Sequence, residues 1–101
     1  MREAVGAIAA AAAPSAAIVS DAPNVVVRYL MVDRRPDVAA RSLSEEGLSS
    51  DGRETWVIVQ DEHTTFENQL LIEQLRARET AWMEVRVGET LAAQVFRIGA
   101  R

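Results

Sequence analysis

Asn24-Val25-Val26-Val27-Arg28-Tyr29-Leu30-Met31-Val32, residues 24–32, is the stretch on whose reading the fold depends. It is rich in β-branched side chains and apolar on both alternating faces, with only Arg28 and Tyr29 breaking the run. That pattern predicts an interior strand of a sheet covered on both sides. Downstream, Asp33-Arg34-Arg35-Pro36-Asp37 stops the run and offers Asp37 as a helix N-cap. A helix is expected from Val38 to Glu46, with Gly47 to close it in a left-handed cap and a thin apolar stripe of Ala39, Ala40 and Leu43.

Ser49-Ser50-Asp51-Gly52 carries loop chemistry, and Glu54 to Gln60, ETWVIVQ, reads as a second interior strand. A linker of about twenty residues with a helix in it is long enough for a right-handed crossover, so the two strands are expected to be parallel. Thr64-Thr65-Phe66-Glu67 has the form of a capping box. It opens a helix to about Glu79 with Phe66, Leu70, Leu71 and Leu75 facing inward and Glu73 and Arg76 paired outside. Trp82–Val87 and Thr90–Ile98 alternate as strands around a two-residue Gly88-Glu89 turn. Met83, Val85 and Val87 are expected on one face of the hairpin and Trp82, Glu84 and Arg86 on the other.

Residues 1–20 are Ala-rich, and Pro14 should end a helix near Ala13. They are expected to form a helix or arm ahead of one α/β domain at 21–101. An export signal is a competing reading of the same stretch, set against the weak apolar run and the Glu3 charge. The fold class expected is α/β, with α+β as the alternative. The order is an N-terminal helix followed by β-α-β-α-β-β, forming a mixed four-stranded sheet with a C-terminal hairpin and a single layer of helices packed on it. This order resembles, in topology only, Alba-like and initiation-factor-3 C-terminal-like sandwiches and thioredoxin-like folds lacking their last helix. A working thioredoxin would need cysteines and a proline before the third strand, both missing, and an Alba-type binder would show basic residues in its nucleic-acid face, whereas this chain has no lysine.

Composition narrows the function further. With 101 residues, 49% of them hydrophobic and 26% charged, the chain suits one folded domain. The absence of cysteine removes disulfides, thiolate nucleophiles and sulfur-ligated metals, and all eleven basic residues are arginine, which removes lysine chemistry. The net charge of −4 is concentrated in residues 43–62, where Glu45, Glu46, Asp51, Glu54, Asp61 and Glu62 face only Arg53. Such a field repels phosphate backbones, so nucleic-acid binding through Arg28, Arg34, Arg35, Arg41 and Arg53 is disfavoured.

If the strands at 24–32 and 54–60 were neighbours, Asp33 and Arg34 would meet Asp61, Glu62 and His63 at the edge where open α/β sheets bind ligands. Carboxylates and a histidine there could serve a metal-assisted hydrolase or nuclease. Turn and cap chemistry explains the same residues, and adjacent Asp-Glu-His cannot all enter one coordination sphere. No catalytic triad has its glycine elbow and no Gly-rich phosphate loop occurs, so no catalytic residue, metal or cofactor is expected. Trp82, Arg86 and Glu84 are the candidate interface residues, because Trp and Arg are favoured at protein contacts. The expected function is a soluble, cytoplasmic, non-enzymatic interaction module: an adaptor, assembly subunit or regulator that binds a protein partner or itself, with no membrane association.

Overall fold

A computed structural model describes residues 2–14, 16–21, 23–32, 35, 37–43, 54–60 and 66–98. Their elements are α1 (Arg2–Ala11), β1 (Ala17–Ser20), α2 (Pro23–Val32), β2 (Ala39–Ser42), β3 (Thr55–Val59), α3 (Phe66–Arg78), β4 (Met83–Val87) and β5 (Thr90–Ile98). The class is α/β, with a mixed sheet of five strands in the order β2-β1-β3-β5-β4. β1 pairs in parallel with both β2 and β3, and β5 lies antiparallel between β3 and β4.

Two expectations exchange places. Residues 24–32 are helical rather than an interior strand. Pro23 opens α2 at a position where its missing N–H costs nothing. Val26 and Leu30 are buried at i, i+4 spacing beside half-buried Tyr29, while Val27 and Arg28 stay exposed. A nine-residue apolar run satisfies either period, so periodicity alone cannot separate the two states. The cost of Val in a helix, under about 1 kcal/mol per residue, is outweighed by burial on the sheet.

The first strand is instead Ala17–Ser20, within the stretch read as helix or arm. All four of its residues are buried between β2 and β3, yet the segment is too short to display a strand pattern of its own. Ala39–Ser42, expected to be helical, forms edge strand β2, where pairing to β1 overrides the helix preference of its two alanines. The described order is therefore α-β-α-β-β-α-β-β, and the topological likeness based on the expected order falls away.

Helices cover both faces instead of forming one layer. On one face, Val5 and Ile8 of α1 and Val26 and Leu30 of α2 meet Ile18, Trp56, Ile58 and Val95 of the sheet. On the other, Ile72 and Leu75 of α3 meet Val19, Val57, Val59 and Phe96. Adjacent residues of β1, β3 and β5 divide between the two clusters as the two-residue pleat requires. α1 lies over β4 and β5, and α2 over β1 and β2.

α3 is also rotated from expectation. It buries Asn68, Ile72 and Leu75 with Leu71 half-buried, an i, i+3, i+4, i+7 stripe, and leaves Phe66 73% and Leu70 45% exposed. The C-terminal hairpin forms as expected around Gly88, whose φ of 63° is the left-handed value its turn needs.

One further link ties α1 to the rest. Arg35 donates from Nη1 to the carbonyls of Ala9 (2.5 Å) and Ala12 (3.2 Å), and from Nη2 to those of Ala12 and Ala13 (3.2 Å each). Its Nε and Nη2 bond the Asp37 carboxylate. The guanidinium thus satisfies carbonyls at the end of α1 and places positive charge at that helix's negative pole. The hydrogen bond that Arg35 donates to Asp37 raises the Arg35 pKa above its ordinary value against the opposing effect of burial. Its contribution to stability is fully present below the unfolded arginine pKa, which includes the whole neutral range.

Candidate interaction surface

Among the described residues β4 pairs only with β5, so within them one side of its backbone is a sheet edge. Between Val85 and Arg86 the register shifts, since Val85 pairs with Ala93 and Arg86 with Leu91. Ala92 is the extra residue of this bulge, and both Ala92 and Ala93 pack on the α1 side. Val85 points the same way and is buried, whereas Val87 remains 71% exposed.

The three interface candidates divide between the two faces. Trp82 lies in the bend before β4, its backbone N–H donating to the Val95 carbonyl at 2.7 Å. Its ring meets Trp56 edge to face, with centroids 4.7 Å apart, which places it on the face covered by α1 and α2. The Arg97 guanidinium stands 5.0 Å from the Trp56 centroid and pairs with Glu54 at 2.6 Å. Glu54 accepts the Ala13 N–H through its other oxygen at 2.6 Å, so this cluster also holds the segment after α1.

Glu84 and Arg86 are on the α3 face, 3.5 Å apart as an ion pair. Glu84 Oε2 accepts from Gln94 Nε2 at 3.0 Å, and Gln94 Oε1 accepts from Arg76 Nε of α3 at 2.7 Å. The chain bend at Trp82 breaks the alternation that would have grouped all three residues. Trp82 still keeps 42% of its surface exposed.

Of the alternative site, Asp33, Asp61, Glu62 and His63 lie outside the described residues, as does Arg34. The strand that β3 meets at its C-terminal end is β1, not residues 24–32. The carboxylate placed there is therefore Asp21, which accepts the Gln60 N–H through both oxygens, at 3.1 and 3.2 Å. Sequence reasoning missed Asp21 because it missed β1; an Asp just after a short apolar run and before a proline was the available signal. Among the described residues, no three His, Cys, Asp or Glu side chains are grouped to hold a metal ion.

The arginines weighed for nucleic acid do not form one described cluster: Arg28 is exposed on α2, Arg41 is exposed on β2, and Arg35 is bound to α1. Arg53 is outside the described residues. No helix among the described residues is long and apolar enough to cross a membrane. Comparison with models of protein families, with curated proteins and with solved structures finds no match to this chain.

Proposed function

We propose that this chain is a non-enzymatic protein–protein interaction module, an assembly subunit or adaptor, that associates with itself through its sheet edge. The observation that carries this reading is β4, a strand with no second neighbour among the described residues, ending in exposed Val87 and preceded by part-exposed Trp82. Exposed edges template pairing with another strand unless charges, proline, bulges or covering elements blunt them. β4 has no proline, and its two charges, Glu84 and Arg86, are of opposite sign and so can complement a second copy, although the β4–β5 ladder has a bulge beside them. A second apolar element, Phe66 and Leu70 one helical turn apart on the outer side of α3, adds surface on which a partner could dock.

The test is the mass in solution by light scattering across a concentration series. The expected result is a mass that rises above the 11.1 kDa of the single chain as concentration increases. A mass that stays monomeric up to about 1 mM, where an association of only about −4 kcal/mol would register, refutes self-association.

A further inference from the structure

Resting on that reading, we infer that the partner is a second copy of this chain, joined through antiparallel β4–β4 pairing centred on Val85. Closed dimers of identical chains are isologous, so each residue of the edge must find its own mate across a two-fold axis. If the axis is perpendicular to the sheet, the α1–α2 layers of both copies stay on one side and the α3 layers on the other. Paired residues must then lie on the same face of β4, which restricts the centre of the five-residue strand to Glu84, Val85 or Arg86 if at least three pairs are to form.

Charge selects among these three. A Glu84 centre sets Glu84 against its own copy, and an Arg86 centre sets two arginines against each other. The Val85 centre sets Glu84 opposite Arg86 of the second copy and Arg86 opposite Glu84 of the second copy, two opposite-charge pairs by symmetry. It also pairs Met83 with Val87 of the second copy, so all five residues of β4 engage. Trp82 then faces Gly88 of the second copy, where no side chain obstructs the exposed part of the indole.

The charges are held ready for this exchange. Glu84 is braced by Gln94, itself held by Arg76, while the Glu84 and Arg86 side chains remain 39% and 52% exposed. Their intrachain pair at 3.5 Å is a loose contact that cross-strand mates can replace. The product is a continuous ten-stranded sheet, within the size that open sheets reach.

The experiment is a charge exchange read by sedimentation equilibrium on the full chain. Glu84→Arg alone places arginine opposite arginine, and Arg86→Glu alone places glutamate opposite glutamate; each should weaken self-association about tenfold or more. The double variant Glu84→Arg with Arg86→Glu is again self-complementary, and an equimolar mixture of the two single variants is complementary between chains. Both should recover association to near the unaltered level, with native far-UV spectra throughout.

Amide exchange on the unaltered chain gives a readout independent of variants: protection within residues 83–87 should increase with protein concentration. An unaltered chain that associates while neither single variant weakens it, or β4 amides indifferent to concentration, overturns the β4 register and leaves self-association standing. Loss of association in the single variants without recovery in the double variant and the mixture also overturns the register. A strictly monomeric unaltered chain overturns both the register and the self-association reading.

Discussion

Replacing Arg35 with alanine removes the link between the end of α1 and the segment that follows α2. Its two terminal nitrogens make four contacts to the carbonyls of Ala9, Ala12 and Ala13. A net hydrogen bond to a charged group is worth about 1.5–3 kcal/mol. Three of the contacts are long at 3.2 Å, and 20% of the Arg35 side chain is solvent-exposed, so we count the set as little more than one full charge-assisted bond. With the loss of a cation at a helix C-terminus, worth about 0.3–1 kcal/mol, Arg35→Ala should cost about 2–3 kcal/mol.

Urea unfolding is the assay. At a slope of about 1–1.5 kcal/mol per molar for a small domain, the midpoint should fall by about 2 M with the slope unchanged. Arg35→Lys keeps the charge but not the planar fork that reaches several carbonyls at once, so it should recover less than half of the loss. Amide exchange should accelerate first in α1, where the Ala12 N–H bonds the Ile8 carbonyl. A midpoint shift corresponding to under about 0.5 kcal/mol for Arg35→Ala, or full recovery by lysine, would refute the reasoning.

Ile8→Ala should destabilise by about 2–5 kcal/mol and Leu71→Ala by less, because Ile8 is completely buried whereas Leu71 is only half-buried; equal or reversed denaturant midpoints contradict this. That ranking runs against the expectation of residues 1–20 as a helix or arm ahead of the domain at 21–101. Asp21→Ala should cost about 1–2 kcal/mol by leaving the Gln60 N–H without its carboxylate, and unchanged exchange of the Gln60 amide would count against that contact. Trp82→Ala should lower stability by about 1–2 kcal/mol through loss of the edge-to-face pair while far-UV dichroism stays native; a fully unchanged midpoint would show that the pair contributes nothing.

The parts legible in the sequence were those fixed by local chemistry. The Gly88-Glu89 turn and its two strands, the β3 strand at residues 55–59 and the helix beginning at Phe66 each follow or enclose turn or cap residues in the sequence, although the buried stripe of that helix was not legible. Composition alone excluded cysteine and lysine chemistry, because those side chains are absent. For the candidate surface, Trp82, Glu84 and Arg86 were identifiable as residues, but their division between two faces was not. It results from the bend at Trp82 and from the edge-to-face contact with Trp56, a residue 26 positions earlier.

Only the tertiary structure decided between strand and helix for residues 24–32 and between helix and strand for residues 17–20 and 39–42. NVVVRYLMV is apolar enough to be buried in either conformation, and AIVS and AARS are too short for any period to show. The choice rests on long-range pairing: Ala17–Ser20 gains two parallel neighbours at the centre of the sheet, and α2 gains a sheet to lie on only when β1 occupies that place. Contacts between residues 20 to 40 positions apart supply those energies, and a local window contains neither partner. The same dependence placed Asp21 rather than Asp33 at the end of the strand beside β3, because strand adjacency is a property of the assembled sheet and not of any one segment.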